Sequence, residues 1–339
     1  MKPASAAFLS IVCCLALLLA PIPAATMSFE DGRTVEFAQD NDWFGGTDRW
    51  DTNTIRLSHI SAPLGEDPAS GSGGDIRWGN LPGRGSPGFF QTWSAAVGQA
   101  MFTPASKSTA ELIEDDRPYA GWLYLALGLQ EKNTRQLDDL ELTMGVVGPW
   151  SQAENTQKWF HTKDPQGWDN QLRNEPGFIL SWERYLRATP WTGRGWGFDA
   201  IPHLGLAVGN VYTYANTGFE LRWGYNLPSD FGTSMAWRAS RNTIGPSSPD
   251  DPRFHGRWGF HFFAGADGRY VLRNIFLDGN TWRDSHSVDK EEWVADLSAG
   301  FAFMLKRVKV TYTHALRTKE FEGQPENQQY GSVSFAVTF

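Results

Sequence analysis

Cysteine is almost missing from this chain. Only Cys13 and Cys14 occur, both inside the apolar run from Ala6 to Ala20 that follows Lys2. A basic residue, a short apolar core and the stretch Pro21-Ile22-Pro23-Ala24-Ala25 read together as a secretory signal peptide over residues 1–25. The run falls short of the roughly 20 apolar residues that a membrane-spanning helix needs. The remaining domain, 26–339, then has no thiol nucleophile and no disulfide framework. It also contains no second run of about 18 apolar residues, which excludes helical spans. His-Glu-x-x-His is missing, and with it the commonest zinc-hydrolase signature. Gly-x-Ser-x-Gly on a strand–turn–helix is missing too, since Ser70-Gly71-Ser72-Gly73 is a low-complexity turn. Positive charge is in deficit. The formal charge is −8, and −9 without Lys2, which gives no support to nucleic-acid binding.

Aromatic side chains and glycine are abundant: 16 Trp, 22 Phe and 35 Gly at a mean hydropathy of −0.40. A chain that is polar on average yet rich in aromatics suits a transmembrane β-barrel, with rings toward lipid and a polar lumen. Alternation supports this. Val333, Phe335, Val337 and Phe339 share one face of the last strand, opposite Ser332, Ser334, Ala336 and Thr338. Phe219, Leu221, Trp223 and Tyr225 oppose Glu220, Arg222, Gly224 and Asn226. Leu140, Leu142, Met144 and Val146 oppose Glu141, Thr143 and Gly145. A soluble β-sandwich also alternates, but its strands average about five or six residues, whereas many here reach about ten, enough to cross a bilayer at a tilt.

Twelve candidate strands result: 33–40, 54–63, 89–99, 121–131, 138–148, 177–189, 196–208, 217–227, 257–270, 293–305, 307–317 and 330–339. The expected fold is all-β, a twelve-stranded antiparallel transmembrane β-barrel closed by pairing of 330–339 with 33–40. With both termini in the periplasm, the connections 41–53, 100–120, 149–176, 209–216, 271–292 and 318–329 face outward. Residues 64–88 stand out as a long inner connection, expected to be a flexible turn.

Two outward connections carry chemistry. The first holds Asp40-Asn41-Asp42-Trp43-Phe44, then Thr47-Asp48-Arg49 and Thr52-Asn53. An isolated Asp42 on a rim would be ordinary solvated loop chemistry, or the start of a turn. Asp40, Asp42 and Asp48 around Gly45-Gly46 also offer hard oxygens of the kind calcium takes, without the EF-hand spacing. The other connection holds Gln157, His161 and Trp168-Asp169-Asn170-Gln171. If 156–161 forms a helical turn, Gln157 and His161 share a face. His161 is then either a structural rim histidine or a general base on water.

These motifs resemble the outer-membrane lipid A 3'-O-deacylases. Asp40-Asn41-Asp42-Trp43-Phe44, Thr47-Asp48-Arg49 and Thr52-Asn53 follow the family's opening pattern. Asp116-Arg117-Pro118-Tyr119-Ala120-Gly121-Trp122 follows its middle block. Gly148-Pro149, Gln157, His161, Gly167-Trp168-Asp169-Asn170-Gln171-Leu172 and Asn174-Glu175-Pro176 follow its later block. The chain departs from the pattern at Asp51 and Thr54, and the segment after His161 is shorter. The resemblance implies a barrel in the bacterial outer membrane, acting as a monomer with its site facing the cell exterior. It implies hydrolysis of the 3'-linked acyloxyacyl ester of lipid A, within lipopolysaccharide and among outer-membrane lipids. Ca2+ would be the cofactor, bound by Asp42. Asn41 and Thr52 would orient the ester or stabilise its oxyanion, His161 would deprotonate water, and Gln157 would help place it. Asp164 is the candidate for the acidic partner of His161. Two other functions are open to such a barrel. One is an outer-membrane phospholipase A, which needs a Ser/His pair that the sequence does not offer. The other is a passive pore.

Overall fold

The computed structural model describes residues 32–42, 50–64, 76–79, 82, 85–160, 165–233 and 242–339, with side chains from 50–52 and 160 left aside. The signal-peptide expectation falls outside them. Among the described residues thirteen strands make one antiparallel sheet: β1 (Thr34–Asn41), β2 (Trp50–Ile60), β3 (Phe90–Thr103), β4 (Ala120–Lys132), β5 (Gln136–Val147), β6 (Glu175–Leu186), β7 (Ala188–Gly193), β8 (Trp196–Gly209), β9 (Tyr212–Tyr225), β10 (Trp258–Asn274), β11 (Trp293–Leu305), β12 (Val308–Arg317) and β13 (Gln328–Thr338). β1 pairs with β13 from Thr34↔Thr338 to Asn41↔Gly331, as the alternation predicts. The sheet closes on itself, and lipid meets no unpaired edge.

The barrel has twelve staves, because β6 and β7 are one stave broken at Arg187. β6 pairs with one half of β8 over Ile179–Tyr185, and β7 takes over on the other half from Ala188. At the break the Arg187 Nε donates to Asp199 Oδ2 at 3.1 Å, and the register shifts between Ala188 and Trp191. Pro190 sits in that shift and has no N–H for the ladder.

The wall is apolar outside and charged inside. Leu57, Val97, Leu125, Leu127, Leu180 and Phe301 are exposed on its outer face. Buried pairs line the lumen: Arg56 with Glu141 at 2.6 Å, Arg184 with Asp138 at 2.8 Å, and Arg269 with Asp296 at 2.6 Å. Such an inversion suits a bilayer around the barrel.

One connection departs from the expectation of short turns at the terminal end. Between β9 and β10 the described parts of the connection, 226–233 and 242–257, fold into the lumen. Phe231 packs on Leu137, Tyr185 and Ile201, and Ile244 on Ile60 and Ala336. The Asn242 Nδ2 donates to Glu141 Oε2 at 2.8 Å, and its backbone carbonyl accepts from Gln130 Nε2 at 2.8 Å. Asp230 meets Arg222 at 2.5 Å, Lys309 at 2.7 Å and Arg253 at 3.7 Å. This inward plug draws partners from staves all around the wall. The 64–88 connection is also tied down where it is described. The Arg77 N–H donates to Gln136 Oε1 at 2.7 Å, and Arg184 Nη1 donates to the Trp78 carbonyl at 3.0 Å.

Candidate functional site

Side-chain parity sorts the first cluster into two faces. On β2 and β3 the exposed Leu57 and Val97 mark the outer face, which places Asn53, Gln99 and Met101 on it. Asn41 pairs directly with Asn53, Asn53 with Met101, and Met101 with Gly121. Residues opposite one another share a face. Asn41, Asn53, Met101 and Gly121 therefore stand in one row across the outside of four staves. Asp40, one residue before Asn41, is buried on the lumen side. Asp42 follows the last paired residue and is wholly buried. The register of β2 shifts between Asp51 and Asn53, so Thr52 is the extra residue of a β-bulge, a device that re-aims neighbouring side chains. The Thr52 side chain, Asp48, His161 and Asp164 lie outside the described residues.

A loop covers the row. After Gly148 (φ 97°) a 3-10 turn, Pro149–Ser151, leads into helix α1 (Ala153–Phe160). Gln152 between them is left-handed at φ 61°. The loop lies hard against the wall because position 121 is glycine. A Cβ there would come within 2.1 Å of Ser151 Oγ and 2.4 Å of Ala153 Cβ. Gln99 Nε2 donates to the Ser151 carbonyl at 2.7 Å and pins the loop from β3. Met101, Tyr119, Ala153 and Trp168 form a small buried apolar cluster beneath it. Ala153 and Gln157, four residues apart, share the buried face of α1, while Trp159 on the far side is 79% exposed. Over its described residues, 156–160, the expected helical turn is part of the longer helix α1.

Gln157 is held by Trp168, whose Nε1 donates to Gln157 Oε1 at 2.7 Å. The Trp168 ring lies 5.0 Å from that of Tyr119. Burial is the main cause that pushes the Tyr119 phenol up to about 12, so it stays uncharged at neutral pH. The middle block splits around Pro118. Arg117 turns inward to Glu320 at 3.3 Å and lies over the Phe102 ring, while Tyr119 turns to the loop.

On the wall, Asn53 Oδ1 accepts from Gln39 Nε2 at 2.9 Å and from Asn41 Nδ2 at 3.3 Å. Neither Gln39 nor Gln99 was singled out by motif reading. The available signal was parity: both are amides at outward positions of strands whose other outward residues include Val35, Phe37, Trp93 and Val97. Among the described residues no group of three or more acid, histidine or cysteine side chains forms a metal cage. Asp42 and Asn41 offer adjacent hard oxygens, which fits a cation that takes its remaining ligands from carbonyls and water, as calcium does.

A family model described as "Outer membrane protein LpxR" matches residues 9–339. No curated protein matches the sequence. Among solved structures, LpxR from Salmonella typhimurium superposes with a TM-score of 0.70 at 16% identity, covering 90% of this chain and 100% of that one. The β domain of the Bordetella autotransporter BrkA gives a TM-score of 0.44 at 8% identity, covering 91% and 99%. An outer membrane channel from Pseudomonas putida F1 gives 0.41 at 8% identity, covering 94% and 100%.

Proposed function

Because the chain belongs to the outer membrane protein LpxR family, we propose that this outer-membrane barrel modifies lipid A, and does so as a deacylase. The bond cleaved is the 3'-linked acyloxyacyl ester. The observation that carries this reading is the place of the amide row: Asn41 and Asn53 lie on the outer wall, beneath a loop that brings Gln157. A substrate whose acyl chains already lie in the membrane meets that wall directly. A pore would keep its chemistry in the lumen, and here residues 226–233 and 242–257 fold into that space.

In the proposed reaction His161 takes a proton from water as the water oxygen bonds to the ester carbonyl carbon. The same proton then passes to the departing sugar oxygen as the C–O bond breaks, leaving a free fatty acid. Gln157, fixed by Trp168, places the water, while Asn41 and Thr52 orient the ester. Calcium held by Asp42 would supply positive charge near the carbonyl oxygen, where negative charge develops. The site faces the cell exterior in this reading, and the barrel acts as a monomer.

The test is expression in a bacterium lacking such an activity, followed by mass spectrometry of its lipid A. Loss of the mass of the 3'-linked acyloxyacyl group is expected. Unchanged lipid A beside a folded, outer-membrane-inserted barrel, with calcium present, would refute the reading.

A further inference from the structure

Asn41 is a flexible side chain at the end of a strand, and an unsupported carboxamide there would rotate freely. Its support comes from β2. Asn53 stands directly opposite on β2 and is buried, although its strand position faces outward. Its Oδ1 accepts from Asn41 Nδ2 at 3.3 Å and from Gln39 Nε2 at 2.9 Å. A carbonyl oxygen has two lone-pair sites, and two amide donors fill them. The contact from Gln39 fixes which end of the Asn53 carboxamide faces β1. The contact to Asn41 then turns the nitrogen end of Asn41 toward β2 and its carbonyl oxygen away from it.

We propose that Asn53 is a positioning residue for the deacylation reaction: with Gln39 as its brace, it sets the plane and sense of the Asn41 carboxamide. This rests on the function proposed above, in which Asn41 orients the ester. The role does not follow from strand formation. The neighbouring outward positions Ile55 and Leu57 are apolar, so the wall itself accepts an apolar side chain at this face. Leucine at 53 would keep the stave while removing the acceptor that the two amides share.

The experiment compares wild type, Asn53→Leu and Asn53→Asp as purified barrels, with kcat and KM measured on lipid A at saturating calcium. Asn53→Asp keeps an oxygen that accepts from both amides. Asn53→Leu is expected to lower kcat by about 10²-fold, the scale of a misplacement near 1 Å, with KM within threefold of wild type. Asn53→Asp is expected to recover most of that loss. Gln39→Leu, which removes the brace alone, is expected to fall between the two and serves if Asn53→Leu does not fold. Heat-modifiable gel mobility reports folding in each case. A folded Asn53→Leu barrel with kcat within threefold of wild type would overturn the role, as would equal loss in Asn53→Leu and Asn53→Asp. If wild type itself leaves lipid A intact, the function proposed above fails, and this role fails with it.

Discussion

Replacing Asp230 by alanine should loosen the plug. Its carboxylate sits in the inward segment among Arg222, Lys309 and Arg253. The three cations would not suffer equally. Arg222 keeps Asp199 at 2.6 Å and Arg253 keeps Asp251 at 2.7 Å, whereas Lys309 has no second carboxylate within ion-pair distance among the described residues. The loss is therefore close to that of one buried ion orphaned in the lumen, about 3 kcal/mol, at the low end for breaking a buried pair. At about 1.4 kcal/mol per decade, the undocked plug becomes about 10²-fold more populated. Limited proteolysis within 226–257 reads that population when opening is fast relative to cleavage. Planar-bilayer recording should show openings in Asp230→Ala that wild type lacks. Adding Lys309→Met should restore most of the protection, since the orphaned charge is then gone. Cleavage of Asp230→Ala within threefold of wild type would refute the assignment. The same pair sets a pH dependence. Burial alone would raise the Asp230 carboxyl, but Lys309, Arg222 and Arg253 overcome that and hold it well below the usual range. Its contribution is thus complete above the ordinary carboxylate pKa of about 3.9 and is lost only as pH falls below it toward the depressed folded value. Protection should stay level from pH 7 to about 5 and decline only in stronger acid.

The remaining predictions concern the outer wall. Gly121→Val should push the loop off β4, because its Cβ has no space beside Ser151 and Ala153. Activity should drop at least about tenfold while the barrel stays heat-modifiable, and unimpaired turnover would show that the loop need not lie against the wall. Asp42→Ala should abolish deacylation without unfolding the barrel, and full wild-type activity in excess chelator would remove the proposed metal role. His161→Asn should lower turnover by about 10²–10⁴-fold, the usual worth of a general base, and near-wild-type rates from the purified variant would leave His161 only a structural part.

Alternation made the barrel legible, because a lipid-facing wall must repeat every second residue. All twelve expected staves are present, with β9 starting five residues earlier and β10 ending four residues later than their apolar patterns suggest. The plug was not legible. Its anchors, Phe231 and Ile244, are isolated apolar residues in a polar stretch, and their partners Leu137, Tyr185, Ile201, Ile60 and Ala336 are scattered along the chain. Motif reading singled out Asn41, Asp42 and Gln157, and with them Trp168, which holds Gln157, but not the amide Gln39 that braces Asn53. Asn53 came into view only as part of a motif, and its role depends on a cross-strand register that no local pattern carries. Asp40 lies on the lumen side of β1, one residue from the outward Asn41.

A site on the outside of the wall, built on the carboxamides of Asn41 and Asn53, changes what concentration means for this protein. Substrate arriving along the membrane plane is counted per unit of surface, not per litre. Diluting lipid A with an inert phospholipid in mixed vesicles should then slow turnover even when the total lipid A in the tube is unchanged. Adding more vesicles of the same composition should leave the rate per bound enzyme unaltered. In a cell, the rate would follow how densely lipid A is packed around the row formed by Asn41, Asn53, Met101 and Gly121, and crowding by neighbouring proteins would act on it as a competitive inhibitor acts in solution.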